Sequence, residues 1–202
     1  MMNQKRLNLF VYAFIILLIG SLPVLAQNVK EPSTGVDFPA QVNVGGANLK
    51  ITGTGVRKRF IVKVYAIASY MEESKIDKSR DLYTQLLTDG PTKQLVLQFV
   101  RSVDAGSIRE AFQEGLKNNI PSYDASPAKK DGDAFLNAQA DVNTNDQVVL
   151  RWSQGGKLEL IIKGQTKATF QNPTLARGVW SIWLGGSPID KGLKATLIAN
   201  AK

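Results

Sequence analysis

Neither cysteine nor histidine occurs in this 202-residue chain. Without cysteine, disulfides, thiolate nucleophiles, iron–sulfur clusters and zinc fingers are excluded. Without histidine, the commonest metal ligand and the commonest general base are missing. Ser-His-Asp and Cys-His constellations are therefore excluded, and any chemistry must use Arg, Lys, Tyr, Ser, Thr, Asp, Glu or the backbone. The expectation is no metal, no cofactor and no catalytic residue set. Internal repeats and low-complexity segments are also missing. What remains is ordinary for a globular protein: 44% hydrophobic and 21% charged residues, in a length that suits one domain.

One long apolar run does occur, and it is at the N-terminus. Lys5 and Arg6 precede an apolar stretch from Leu7 to Leu22, Pro23 breaks it, and Val24-Leu25-Ala26 precedes Gln27. This tripartite pattern is that of a secretory signal peptide. The competing reading is an uncleaved anchor, but a run of about 15–16 residues is short of the roughly 20 that span a bilayer. The expected organisation is a signal peptide over 1–26 and one domain over 27–202. Cleavage near Ala26/Gln27 would make the protein exported, periplasmic or secreted.

Losing Lys5 and Arg6 with that segment lowers the formal net charge from +8 to +6. A basic protein outside the cytoplasm has lipid headgroups, carboxylates and cell-surface polymers as its anionic partners, rather than nucleic acid. Simple solubility explains the same charge. With no cysteine to cross-link it, an exported fold of this kind rests on core packing alone.

Periodicity gives the elements. Residues 27–40 read as a loose leading segment. Gln41–Val44 and Asn48–Thr54 flank Gly45-Gly46-Ala47 as a hairpin. Residues 56–70 alternate as one long strand, with a core face on even positions and an amphipathic, basic face on odd ones. On that reading, changes at odd positions should not unfold the protein. A short helix over 80–88 follows Ser79, and Asp89-Gly90-Pro91 turns the chain. A strand over 94–103 leads to a helix opened by the capping box Ser107–Glu110 and closed near Asn119. A helix is expected over 133–142, then a three-strand meander over 147–153, 158–163 and 165–171. Asn172-Pro173 starts a further helix, with an N-cap residue followed by Pro at the first position. Gly185-Gly186 ends it, and a last helix runs over 190–199. Strands in two groups with helices between and after describe an α+β fold with a mainly antiparallel sheet.

Most motifs lead nowhere. Gly53-Thr54-Gly55 lacks the third glycine and the following helix of a dinucleotide loop. Asp131-Gly132-Asp133 is too short for a calcium loop. The cluster Arg57-Lys58-Arg59 with Lys63 is the charged feature set inside a hydrophobic pattern. It reads either as an edge strand defended by charge or as a cationic site for a carboxylate or phenolate.

The run from Gly53 to Glu72, with Gly55-Val56-Arg57 and Val64-Tyr65-Ala66, resembles the signature hairpin of the chalcone isomerase family. Residues 95–115 and 172–197, the latter with Ile182-Trp183-Leu184-Gly185, resemble its later segments. The resemblance spans roughly 45–200. It implies an open-faced β-sandwich: a large antiparallel sheet with a helical layer on one face and a ligand cleft between them. Members of that family cyclise chalcones, bind fatty acids or, in bacteria, are exported proteins of unassigned role. The family's catalytic Arg matches Arg57. Its catalytic Thr matches Tyr65, its Tyr matches Asp104, its Asn matches Ala111, and its ring-contacting Ser or Thr matches Ala176. Cyclisation needs polar groups that stabilise a phenolate and an enolate, and of these only Arg57 survives. Arg with Tyr at the first two positions resembles instead the fatty-acid-binding relatives.

The reading is thus an exported, non-catalytic, monomeric protein that holds a fatty acid or similar amphipathic carboxylate, with a membrane surface as a further contact. An isomerase of the chalcone isomerase type on another substrate is the alternative, and a cell-envelope interaction protein the third. Arg57 and Tyr65 are the expected ligand-binding pair. If one extended strand keeps Arg57 and Tyr65 about 26 Å apart, then Arg59, Lys63 or Arg101 supplies the cation instead.

Overall fold

A computed structural model describes residues 27–201; the expected signal segment, residues 1–26, lies outside them. Seven strands form one antiparallel sheet in chain order: β3 (Gln41–Val44), β4 (Ala47–Arg59), β5 (Val62–Glu72), β6 (Lys93–Phe99), β7 (Gln147–Ser153), β8 (Lys157–Ile162) and β9 (Gln165–Gln171). Two short strands, β1 (Asn28–Lys30) and β2 (Asp37–Pro39), pair separately. The helices are α1 (Leu82–Leu86), α2 (Ala105–Asn119), α3 (Lys129–Asn137), α4 (Pro173–Leu184) and α5 (Lys191–Thr196). Among the described residues no helix is long and apolar enough to cross a membrane.

The sheet has two buried faces. Alternate residues of β5 to β8, such as Ile67, Leu97, Leu150 and Leu160, join α2, α3 and α4 in the large core. The expected α+β arrangement, an antiparallel sheet with a helical layer on one face, is therefore what the chain adopts. On the other face Ala66, Ala68 and Tyr70 of β5 meet Phe38, Leu49, Ile51 and Val96 in a smaller core. Residues 27–40, expected to be loose, are what covers that face. Phe38 is buried, and the Tyr70 hydroxyl donates to the Pro39 carbonyl at 2.9 Å. Glu31 folds its carboxylate back onto Thr34 N (2.7 Å) and Ser33 N (3.1 Å), which closes the turn before β2. Polar composition concealed a segment with one well-placed aromatic, Phe38, and the small apolar residues Val29, Val36 and Ala40 packed around it.

The largest correction concerns residues 56–70. They are not one strand but the two arms of a hairpin, turning at Phe60-Ile61 between the paired Arg59 and Val62. Phe60 takes φ +55°, the left-handed region that normally selects glycine. Alternation continues through a two-residue turn without a visible break, so periodicity alone joined the arms. Odd positions of β5, expected on a basic outer face, point into the large core: Tyr65, Ile67 and Met71 are all buried. The basic character belongs only to the hairpin's tip.

Other boundaries moved by a few residues, through caps. Asp81, not Ser79, caps α1, with its carboxylate accepting from Thr84 N at 2.8 Å. Asp104 caps α2 three residues ahead of the expected box. The strand β6 ends at Phe99, and α3 lies at Lys129–Asn137 because Val142 instead bridges to Val103. The meander and the start of α4 fall where expected: Asn172 Oδ1 accepts from Leu175 N at 3.0 Å, with Pro173 in the first turn.

A cavity between the hairpin and the helical layer

The hairpin β4–β5, helices α2 and α4, and the segment before α5 enclose a cavity of about 130 Å³. Its walls are apolar: Val64, Leu97, Phe99, Ile108, Phe112 and Ile182. An outer cleft of about 330 Å³ shares Arg57, Arg59, Ser107 and Ile189 with it and opens past Glu110 and Glu114. Small-molecule sites usually enclose about 300–1,000 Å³. The inner cavity alone is below that range and the two together are within it.

Polar groups enter the cavity from the hairpin. Because the chain turns at Phe60-Ile61, Arg57 and Tyr65 are direct cross-strand partners, so their side chains leave the same face of the sheet about 5 Å apart. The register slips by one residue immediately after this pair, between Arg57 and Lys58. Tyr65 is buried against Phe99, with ring centroids 5.4 Å apart. Its hydroxyl accepts a hydrogen bond from Trp183 Nε1 at 3.0 Å. The phenol proton itself has no acceptor among the described residues. Burial pushes the Tyr65 pKa up to about 12, against smaller opposing effects of the Trp183 bond and of Arg57. The phenol therefore stays protonated and remains a donor.

Arg57 is held at the cavity's edge. Its guanidinium donates to the Lys58 carbonyl and lies 3.9 Å from the Asp190 carboxylate. Asp190 also caps α5, accepting from Leu193 N at 2.9 Å. The helix comes this close because β4 carries glycine beneath it. A Cβ at Gly53 would sit 2.1 Å from the Thr196 carbonyl, and one at Gly55 2.3 Å from the Thr196 hydroxyl. The glycines that resembled part of a dinucleotide loop are thus sites of helix–strand contact.

Of the other expected cations, Arg59 lines both cavity and cleft. Lys63 turns away, its ammonium donating to the Ser33 carbonyl beneath the opposite face. Arg101 is exposed beyond the end of β6 and lines neither space. The hairpin turn brings Arg57 beside Tyr65, so the separation that had pointed to Arg59, Lys63 or Arg101 in its place does not exist. Among the positions that correspond to catalytic groups, Asp104 is occupied in capping α2. Its pKa is lowered by hydrogen bonds from the Ser107 amide and hydroxyl. Ala111 contributes only a methyl to the wall, and Ala176 is wholly buried in α4, outside the cavity lining. The sequence reading did not single out Trp183, Ser107 or Asp190 as part of the site. In the sequence Trp183 stands out only within the Ile182-Trp183-Leu184-Gly185 segment of the family resemblance.

A sheet with a helical layer and a cavity between them is the arrangement that the family resemblance implied, and sequence comparison agrees. The chalcone isomerase-like family profile matches residues 30–199. The chain belongs to the chalcone isomerase-like family. It is 25% identical over 207 aligned positions to the Arabidopsis thaliana protein named fatty-acid-binding protein 1, covering 90% of this chain and 73% of the relative. The crystal structure of an Arabidopsis thaliana fatty-acid binding protein superposes with a TM-score of 0.70 at 22% identity, over 87% of this chain and 97% of that one. At that identity the structural likeness shows a shared fold.

Proposed function

We propose that this chalcone isomerase-like protein is an exported, non-catalytic carrier of a fatty acid or similar amphipathic carboxylate. The observation that carries this reading is the Arg57–Tyr65 pair at the edge of an apolar cavity, with a phenol proton that has no acceptor among the described residues. A carboxylate accepts from both groups, and an Arg fork suits its two oxygens. The hydrocarbon tail occupies the apolar cavity and continues along the outer cleft, where it leaves water. The Arabidopsis thaliana relative named fatty-acid-binding protein 1 supports the ligand class. Arg59 is the second cation at the mouth.

Catalysis of chalcone cyclisation is not part of this proposal. Beyond Arg57, Arg59 and the phenol, the cavity offers developing negative charge the Ser107 hydroxyl, while Asp104, Ala111 and Ala176 supply no donor where cyclisation needs one. The protein acts as a monomer outside the cytoplasm, after cleavage near Ala26/Gln27, with a membrane surface as its source of lipid.

Calorimetric titration with fatty acids of graded chain length tests the reading. Saturable binding of one fatty acid per protein, with a lipid carboxylate co-purifying from the native host in mass spectrometry, is expected. No binding at any chain length would overturn it, and saturable, stereoselective turnover of a simple chalcone would replace it with the isomerase. N-terminal sequencing of envelope material should start near Gln27; a start at Met1 or Met2 removes the export step.

A further inference from the structure

The tip of the β4–β5 hairpin is apolar where a turn is ordinarily polar. Phe60 and Ile61 are each 92% exposed, and Val62 is 43% exposed. No fold requirement places them there. The left-handed φ at Phe60 favours glycine, and neither side chain packs on anything. The turn between β8 and β9 solves the same problem with Lys163-Gly164.

Cations collar this apolar tip. Lys58 and Lys63 are register partners just behind it, with Arg59 beside them and Arg57 one step further back. Lys58, Arg59 and Lys63 have no carboxylate within 4 Å among the described residues, while Arg57 has Asp190 at 3.9 Å. The acids that face this region from the packed elements are Asp190 ahead of α5, and Glu110 and Glu114 on α2 across the outer cleft. They lie on the cavity side, behind the tip.

We propose that this hairpin tip docks the protein on an anionic lipid bilayer, with Phe60 and Ile61 inserted among the acyl chains and the collar at the headgroups. The inference rests on the carrier reading for its purpose but on separate residues for its mechanism. Exposed apolar groups rimmed by one sign of charge mark an interaction site, and basic residues at a membrane surface are drawn to anionic headgroups. Interfacial elements bury their apolar face about 5–10 Å deep. Three residues of extended strand separate Phe60 from Arg57, about 10 Å. Insertion therefore sets Arg57, Tyr65 and the cavity mouth at headgroup level, where a lipid carboxylate resides. A second copy of this chain is the poorer occupant. Two collars would repel, and two side chains bury far less than the roughly 1,000 Å² of a stable protein interface.

The test compares wild type with the double substitution Phe60→Ser, Ile61→Ser, both purified in the same way with the same N-terminus, by co-sedimentation with extruded vesicles. Vesicles of mixed phosphatidylglycerol and phosphatidylcholine should bind wild type about 100-fold more tightly than pure phosphatidylcholine, from about fivefold for each collar cation without a carboxylate partner, once Lys63 exchanges its Ser33 carbonyl for a headgroup. The double substitution should weaken binding to the anionic vesicles about 30-fold. Because the chain has no cysteine, a spin label on Phe60→Cys reports depth unambiguously. It should become shielded from aqueous relaxation agents on anionic vesicles, while a label on Lys167→Cys stays wet. Fatty-acid titration without vesicles should leave the double substitution within twofold of wild type. Unchanged vesicle binding by the double substitution, a wet label at residue 60, or a concentration-dependent dimer abolished by the substitution would each overturn the proposal. A wild type that docks on vesicles yet binds no fatty acid would sink the carrier reading and leave docking standing.

Discussion

The two ends of β5 and β6 carry nearly the same set of groups and use them differently. At one end, beside the Tyr65–Phe99 pair, stand an indole, a phenol, a cation and an acid: Trp183, Tyr65, Arg57 and Asp190. At the other, beside the Met71–Lys93 pair, stand Trp152, Lys93 and Asp89. The second cluster is closed. Asp89 accepts from Trp152 Nε1 at 2.9 Å and from the amides of Gly155 and Gly156 at 2.9 and 3.1 Å. The wholly buried Lys93 lies 3.8 Å over the Trp152 ring and donates to the Thr88 carbonyl. Each of these hydrogen-bonding side chains has a protein partner, and the cleft of about 460 Å³ beside Asp89 and Trp152 is walled in good part by polar groups, Thr84, Thr88, Arg177 and Lys194 among them. The first cluster is open: a mostly apolar cavity adjoins it, and one donor, the Tyr65 phenol, has no acceptor among the described residues. Polar groups in a core mark a site when they are left with capacity beside empty space, and mark structure when the fold itself satisfies them.

The sharpest way to break this comparison is to remove the cation from the open end. Arg57→Ala should weaken fatty-acid binding by about 2–4 kcal/mol, because a carboxylate in the cavity loses its charge partner. Calorimetry reads this directly. An affinity unchanged by Arg57→Ala but lost in Arg59→Ala would move the anion site outward by one turn of the hairpin.

The closed end should dominate the pH dependence of stability. Burial lowers the Lys93 pKa from 10.5 to about 8, with Asp89 opposing. Below about pH 8 both folded and unfolded chains carry the proton and Lys93 adds no slope. From about pH 8 to 10 the unfolded chain binds more protons, so stability should rise, by about 2–3 kcal/mol at most. Above pH 10 the sign reverses. Tyr65 and Tyr123 have pKa values raised to about 12 by burial, and Tyr70 is raised as well. These tyrosines stay protonated in the fold after the unfolded chain has lost their protons. Urea midpoints across pH 7–11 should therefore peak near pH 10. Lys93→Met should erase the rise and keep the fall.

Tyr65→Phe sharpens the comparison by making the open end defective. The Trp183 N–H loses its acceptor in a buried site, which should cost about 1–2 kcal/mol of stability in urea melts. This differs from the expectation that changes at odd positions leave stability alone, because Tyr65 lies in the main core. Fatty-acid affinity should fall as well, by less than in Arg57→Ala. The smallest effect belongs to Arg101→Ala, which should change affinity less than twofold because Arg101 lies outside the cavity. A large loss there would mean that the ligand extends past the end of β6.

Much of this fold could be read along the chain, for local reasons. The hairpin of β3 and β4, the meander β7–β9 and the start of α4 announce themselves through glycine turns, period-two alternation and an Asn-Pro cap. Each depends on residues within a few positions of one another. The Arg57 and Tyr65 pair was legible too, but through family resemblance rather than through pattern. The alternation over 56–70 argued for a separation that the Phe60-Ile61 turn abolishes.

What the tertiary structure alone decided is non-local. Whether Phe38 and its polar surroundings cover a sheet face depends on β5 lying beneath them. The bond from Trp183 to Tyr65 joins residues 118 positions apart, and nothing in either neighbourhood encodes it. Lys63 and Arg57 look alike in sequence. One reaches Ser33 under the sheet and the other reaches Asp190 at the cavity. A local pattern can assign a residue to a face only once the turns are known, because each missed turn changes which face that is. The sequence by itself determined most of the elements, though not the Phe60-Ile61 turn or the strands within 27–40, together with the chemistry available and the family. The packing of elements distant in the chain decided which phenol, which cation and which void come together.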